Sequence, residues 1–319
     1  MFRSFFISLS KAAWAKNIIT GWSFAWSMAS RFIAGEKLEN AITVIKTLNS
    51  KGINTTLDHL GENTTTPEEA RRATQAILEI LDAIDRAGVC SNVSLKLSQI
   101  GLLLDKALCV ENLAAVLEHA SILNNFVRID MEDSTLTQAT LDVVHQMHLK
   151  GFKNVGTVIQ SYLYRSEKDI CKLVEEGVRV RLCKGAYKEP AEIAYPKKKD
   201  VDVNYDHLAM VLIEGLLSNG SPKLDQNGKV PPLLAIATHD THRISFAKSY
   251  AQKVNLPNDA MEFQMLYGIR RDLQEQLVAE GYPVRIYVPY GTQWYPYFMR
   301  RLGERPANVW FIVSNFFRR

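Results

Sequence analysis

The sequence predicts an α/β fold, a (βα)8 TIM-type barrel with extra N-terminal helices. Three observations carry this. Eight short runs rich in Val, Ile, Leu and Thr recur along the chain, with segments of helical period between them. Alternation of this kind implies parallel strand pairing, and eight such units in roughly 260 residues is the size of a closed barrel. A doubly wound open sheet, the structural alternative, usually carries a Gly-rich turn after its first strand. Here the first run ends in Asp58-His59-Leu60-Gly61-Glu62, which has no such turn.

Residues 1–52 read as an N-terminal helical cover and 53–319 as the barrel, within one structural domain that has no low-complexity linker. The predicted strands are Ile53–Leu60, Asn92–Ser98, Phe126–Glu132, Val155–Ser161, Val178–Gly185, Leu233–His239, Met261–Leu266 and Val284–Gly291. Each is short and largely apolar, as expected of strands covered on both faces. Glu69–Ala87 places Ala73, Ile77, Ile80, Leu81 and Ile84 on one helical stripe. Thr66 can cap that helix, Pro67 suits its first position and Gly88 ends it. Glu111–Leu123 repeats the pattern through Leu113, Val116, Leu117 and Ala120. Ser134–Lys150 and Ser166–Glu176 follow, stopped by Gly151 and Gly177. Asp206–Leu217 and Arg270–Glu280 complete the set, the second stopped by Gly281-Tyr282-Pro283. The longest connection, Ala186–Pro232, contains Lys197-Lys198-Lys199-Asp200, which reads as a solvated loop.

At 319 residues and 47% hydrophobic composition the chain can bury a full core. A net charge of +4, from 38 Lys and Arg against 34 Asp and Glu, is too small and scattered to indicate nucleic acid. Cys90, Cys109, Cys171 and Cys183 are isolated and read as reduced thiols, not as a disulfide framework or zinc site. Asn17–Ser30 has no charge and includes Trp22, Phe24 and Trp26. It is too short to cross a bilayer and lacks a small-residue cleavage site. It reads as a helix packed on the body, with a membrane-surface helix as the lesser reading. For the apolar Val309–Arg319 with its basic end, three placements stay open: over the barrel mouth, against the body, or on a membrane.

In a (βα)8 enzyme the chemistry sits at the C-terminal ends of the strands. Here those ends carry Asp58, His59 and Glu62; Lys96; Asp130 and Glu132; Gln160; Arg181 with Lys184-Gly185-Ala186-Tyr187; Thr238-His239-Asp240; Glu262 and Gln264; and Tyr287. Polar groups inside apolar strands cost several kcal/mol unless paired. Stability explains one or two such groups, but polar residues on every strand point to an enzyme. In the last helix Tyr297, Arg300, Arg301 and Glu304 share one face. Adjacent arginines there form a fork suited to a carboxylate or a phosphate.

Seven segments together resemble the motifs of the proline dehydrogenase family: Ser94–Ser98, Arg128–Glu132, Val180–Tyr187, Ala237–Asp240, Glu262–Gly268, Arg285–Pro289 and Tyr297–Glu304. They stand in the family's order, and the chain looks like the monofunctional bacterial type. The resemblance implies FAD-dependent oxidation of L-proline to 1-pyrroline-5-carboxylate, the first step of proline catabolism. Electrons would pass to a membrane quinone from a cytoplasmic protein, possible contact with the inner face of the cell membrane being peripheral. It also implies roles. Arg300 and Arg301 would clamp the proline carboxylate beside Lys96, and Asp130 would hold the lysine and arginines in place. Tyr287, Tyr297 and Leu266 would pack around the ring, and Arg181 would favour the reduced flavin. Met131, Gln160, Lys184, Gly185, Ala186, Tyr187, Thr238 and His239 would hold FAD. Glu62 would pair with Arg300 and close the site. No metal is implied.

The chain departs from the family pattern at Lys188, where many members carry tryptophan, and at Asp240, where bifunctional members have asparagine. The resemblance also implies, from a tyrosine at Tyr287, a preference for proline over hydroxyproline. Two rival readings rest on the same strand ends. One is a metal-dependent hydrolase using His59, His239, His242, Asp58 and Asp130. The other is a Schiff-base aldolase using Lys96 or Lys184. A binding barrel without catalysis is the third, and it leaves so many polar strand ends without purpose.

Overall fold

The computed structural model describes residues 23–61, 64–220 and 222–304. The strands are β1 (Asn54–His59), β2 (Ser91–Leu95), β3 (Val127–Ile129), β4 (Val155–Gln160), β5 (Arg179–Cys183), β6 (Leu234–Ala237), β7 (Met261–Leu266) and β8 (Val284–Tyr290). They form one closed parallel barrel in sequence order, and β8 returns to β1 with Asn54–His59 registered on Arg285–Tyr290. The (βα)8 expectation holds. All eight expected strands are present, most of them trimmed at the ends.

Ten helices surround or cap the barrel among the described residues: α1 (Ser23–Ala29), α2 (Leu38–Asn49), α3 (Pro67–Ala87), α4 (Lys106–Ile122), α5 (Ser134–Leu149), α6 (Ser166–Glu175), α7 (Lys198–Ser218), α8 (Thr241–Lys253), α9 (Arg271–Ala279) and α10 (Trp294–Glu304). None is long and apolar enough to cross a membrane. The α3 ends follow the expected chemistry. Thr66 accepts from the Glu69 amide, Pro67 opens the helix, and Gly88 closes it in the left-handed region at φ 61°.

Four local readings are corrected. Lys96–Ser98 is not strand: Leu97–Ile100 forms a 3-10 turn. Its turn is tied down by Gln99, which accepts from the Lys96 amide and donates to the His59 and Gly61 carbonyls, and by Glu132, which accepts from the Ser98 amide and hydroxyl. α4 begins at Lys106, earlier than expected, because Asp105 caps it through the Ala107 amide at 2.7 Å. α7 begins at Lys198, so the lysine run forms a first turn, and Lys198 pairs with Asp202 one turn on. α8 was not expected at all. Its buried stripe is only Ile244, Ala247 and Ala251, too sparse for a periodic signal.

Strand alternation divides the interior in two. Leu57, Val93, Ile129, Val180, Leu182, Ile236, Phe263, Ile286 and Val288 join the apolar stripes of the surrounding helices in one continuous core. The opposite strand faces are polar. Thr56 donates to Asn92 at 2.6 Å, and Arg128 donates to the Thr157 and Arg179 carbonyls. The 225–230 loop closes this end of the barrel, where the Lys229 carbonyl accepts from Asn92 and the Gly228 carbonyl from Arg285.

A second apolar cluster fixes the other end. Trp294, Tyr295, Tyr297, Phe298, Met299 and Leu302 of α10 pack on Ala25, Met28, Ala29, Phe32 and Ile33, with Leu60 and Ile269. Burying one such large side chain contributes about 1.5–3 kcal/mol, enough in sum to seat α10 despite its two arginines. The Trp294 indole donates to Glu36 at 3.1 Å, and the Ala34 amide donates to the Pro289 carbonyl at 2.9 Å. At Gly268 (φ 77°) a Cβ would lie 1.7 Å from the Arg31 carbonyl, so only glycine lets this segment approach the β7 loop. The described part of the expected N-terminal cover, from Ser23, therefore helps hold α10.

Candidate active site

Asp130 is the hub of the barrel mouth. It follows β3, and its amide donates to the Leu95 carbonyl at 2.8 Å, which continues the ladder and aims the side chain inward. Its Oδ1 accepts from Arg181 Nη1 at 2.8 Å and its Oδ2 from the Tyr287 hydroxyl at 2.7 Å. Arg181, on β5, also donates through Nε to Gln264 Oε1 at 2.5 Å, and its guanidinium lies 5.4 Å from the Tyr287 ring centre. Three strands thus hold one carboxylate, one guanidinium and one phenol in a fixed arrangement.

Lys96 and Asp58 extend this hub. Burial would lower the Lys96 ammonium, but the Asp58 and Asp130 carboxylates more than offset it and hold Lys96 above the usual lysine range. Arg300 and Tyr187 act on the same ammonium, so α10 and the β5 loop converge with β2. Asp58 is 1% exposed, and its Oδ1 has no hydrogen-bond partner among the described residues. Burial raises its pKa, with Lys96 opposing and Asp130 reinforcing the shift. Burial also drives the Tyr287 phenol well above its ordinary value, with Asp130 and Asp58 adding to it. Tyr287 is therefore a neutral donor with its proton on the Asp130 side.

On α10, Tyr297 is buried and Arg301 lies 5.1 Å from its ring centre, while Arg300 and Arg301 stay partly exposed. Leu266, at the end of β7, is half-buried. Among the described residues this set contains four cations, Lys96, Arg181, Arg300 and Arg301, against two carboxylates, Asp58 and Asp130. Such an excess suits an anionic ligand, and paired guanidinium groups suit a planar carboxylate.

The residues expected to hold a cofactor lie at the ends of β3 to β6. Met131 and Gln160 are buried, and Gln160 donates to the Glu132 carbonyl at 2.8 Å. Lys184 is engaged by two carboxylates, Asp202 at 2.5 Å and Asp240 at 2.7 Å. Gly185 has φ 107°, and a Cβ there would fall 2.4 Å from the Tyr162 ring. Only glycine lets the chain turn this closely across the end of β5. Ala186 is exposed, and the Tyr187 phenol, chiefly through burial, is pushed up to about 12. Thr238 accepts from the Asp240 amide, and His239 Nε2 accepts from the Leu266 amide at 3.0 Å, so the ring proton sits on Nδ1. Glu62 lies outside the described residues.

The structure brings Lys96, Asp130, Arg181 and Tyr287 together and directs α10 onto the same mouth. It also gives work to polar residues of β7 and β8 to which the sequence assigned no individual role. Arg285 joins Glu262 and Gln264 inside the barrel, and the i, i+2 spacing of Arg285 with Tyr287 and of Glu262 with Gln264 was the available signal. The departure at Asp240 is accounted for: its Oδ1 caps α8 through the His242 amide and its Oδ2 pairs with Lys184. Nothing in the structure explains Lys188. The rival chemistries lose their residues. His59 stacks on Tyr290 at 5.0 Å and His239 turns to Leu266; a Schiff-base lysine needs a lowered pKa, whereas Lys96 is raised and Lys184 is doubly paired.

Residues 41–314 match the family model described as proline dehydrogenase. The chain is 41% identical over 309 residues to Proline dehydrogenase 2 of Bacillus subtilis, covering 97% of this chain and 96% of that protein. It is 40% identical over 293 residues to Proline dehydrogenase of Deinococcus radiodurans, covering 91% and 90%. Among solved structures it is similar to proline utilization A from Bdellovibrio bacteriovorus inactivated by N-propargylglycine, at 26% identity and a TM-score of 0.79. That match covers 95% of this chain and 36% of the larger protein.

Proposed function

The chain belongs to the proline dehydrogenase family, oxidoreductases acting on the CH–NH group, and from that premise we propose that it oxidises L-proline to 1-pyrroline-5-carboxylate using FAD and delivers the electrons to a membrane quinone. The observation that carries the reading is the convergence of Lys96, Asp130, Arg181 and Tyr287 under the arginine-bearing helix α10.

The residues present fit a flavin dinucleotide. The ends of β4, β5 and β6 offer Gln160, Arg181 and His239, and the Gly185 turn excludes even a methyl group. Met131, Gln160, Lys184, Gly185, Ala186, Tyr187, Thr238 and His239 would hold the cofactor, with Lys184 bracing the β5 loop through Asp202 and Asp240. Flavin, when bound, supplies the hydride acceptor.

The rest is positioning and charge by the chain itself. Arg300, Arg301 and Lys96 bind the substrate carboxylate, and the raised pKa keeps Lys96 charged across the working pH range. Tyr287, Tyr297 and Leu266 wall the ring and exclude water. Asp130 keeps the Tyr287 hydroxyl and the Arg181 guanidinium in place, so the reacting C–H meets a prearranged wall. The Arg181 cation favours negative charge developing beside it. A cytoplasmic protein in peripheral contact with the membrane would meet its quinone there.

The test is the visible spectrum of the purified protein, before and after anaerobic L-proline. A flavin spectrum that bleaches establishes cofactor, substrate and direction together. A flavin spectrum indifferent to proline moves the substrate to another cyclic amine, and a chain that takes up no FAD ends the proposal.

A further inference from the structure

A hydrogen-bonded chain runs through the barrel interior beneath the substrate residues, and substrate binding does not account for it. Glu262 is 0% exposed and Arg285 is 1% exposed. Arg285 Nε donates to both Glu262 oxygens, at 2.9 and 3.0 Å. Glu262 Oε1 also accepts from Gln264 Nε2 at 2.5 Å. Gln264 Oε1 in turn accepts from Arg181 Nε at 2.5 Å, and Arg181 Nη1 donates to Asp130.

The chemistry of the end members fixes the direction of this chain. A guanidinium only donates and an ionised carboxylate only accepts. The Gln264 amide therefore satisfies both neighbours in one orientation, nitrogen toward Glu262 and oxygen toward Arg181. Flipped, it would set acceptor against acceptor at one end and donor against donor at the other. Stability is a poor reason for the arrangement, since apolar residues of similar volume often replace a buried ion pair at no loss.

We propose that Gln264, and Glu262 with Arg285 behind it, are positioning residues that lock the Arg181 guanidinium between Asp130 and the Tyr287 ring. The Glu262–Arg285 pair orients the amide, and the amide carbonyl and Asp130 hold the guanidinium at two points. With one hold removed, Arg181 swings about its Asp130 bond and its charge no longer sits where reduction of the flavin needs it. This rests on the flavin reading above.

The experiment compares Gln264→Met, the double variant Glu262→Met/Arg285→Met and Glu262→Gln with the wild-type holoenzyme. Gln264→Met and the double variant lower kcat by about tenfold or more, the usual scale for losing an outer-shell support. Their KM for proline stays within about twofold. Their flavin midpoint potential moves negative by about 30 mV, the value of a tenfold change in a two-electron equilibrium. Glu262→Gln, whose carbonyl still accepts from Gln264, recovers most of both. A folded Gln264→Met with wild-type kcat and potential overturns the proposal. Should Gln264→Met not fold, the double variant, which leaves no unpaired charge, decides in the same way. A wild-type chain that binds no flavin would instead sink the underlying reading, so the two failures are distinguishable.

Discussion

Replacing Asp130 by alanine removes the acceptor shared by Arg181 Nη1 at 2.8 Å and the Tyr287 hydroxyl at 2.7 Å. Both bonds are sheltered, with the Arg181 and Asp130 side chains 8% and 13% exposed. A hydrogen bond involving a charged group contributes about 1.5–3 kcal/mol; with a charged acceptor in both, a combined loss of about 3–6 kcal/mol is expected. If this loss falls on the transition state, kcat/KM drops roughly 100- to 10,000-fold at 1.36 kcal/mol per decade. Asp130→Asn behaves differently. Its carbonyl can still accept from Arg181 and its amide can donate to the Tyr287 oxygen, so the geometry survives and only the charge is lost. A drop of about tenfold is expected. The assay is steady-state kcat/KM with proline, alongside the melting temperature of each holoenzyme to separate misfolding from misplacement. Two results would refute the reasoning: a folded Asp130→Ala within about threefold of wild type, or equal losses in both variants, which would leave charge alone as the cause.

Other outcomes follow from the same geometry. Tyr287 is pinned by Asp130, so a ring hydroxyl on the substrate meets a wall that cannot retreat; kcat/KM for hydroxyproline is expected to fall at least about tenfold below proline, and comparable values would reject Tyr287 as the selector. Gly185→Ala drives a Cβ to within 2.4 Å of the Tyr162 ring at a positive φ; weakened FAD retention and a loss of about 1–3 kcal/mol in stability are expected, measured by flavin content after dialysis and by denaturant titration. Asp206 carries a carboxyl pushed up to about 6, mainly by burial, with Arg243 opposing. A raised folded-state pKa means its stabilising contribution is present below the unfolded value near 3.8 and is lost as pH rises through about 6. Asp206→Asn should therefore gain on wild type between pH 4 and pH 7, by about 1 kcal/mol once solvent screening of this partly exposed pair is allowed for, and a pH-independent difference in unfolding free energy would show the carboxyl is not shifted.

The legible part of this molecule was local. The Thr66 cap, Pro67 and Gly88 each act within one helix turn, so they mark α3 from the sequence alone. Strand identity shows in short apolar runs because each strand lies between a filled interior and a helix layer. Where the local signal is weak, contacts from elsewhere in the chain decide the element. α8 buries only Ile244, Ala247 and Ala251, and the first turn of α7 is a lysine run whose helix is supported by the Lys198–Asp202 pair. The Leu97–Ile100 turn depends on Gln99 and Glu132, and the partners of those side chains come from β1, from Gly61 just beyond it and from the 3-10 turn itself.

By itself, the sequence determined that eight strands alternate with helices, that their ends carry Lys96, Asp130, Arg181, His239 and Tyr287, and that two arginines share one face of the last helix. Tertiary structure alone decided which of these residues meet. Asp130 joins Arg181 and Tyr287 across 51 and 157 positions of chain. Gln264 meets Arg181 across 83, in a barrel whose register sets Gln264 beside both Ala237 and Arg285. Periodicity reports which face of an element is buried, whereas closure of the barrel fixes the stagger between strands, and with it the partner that each inward side chain finds.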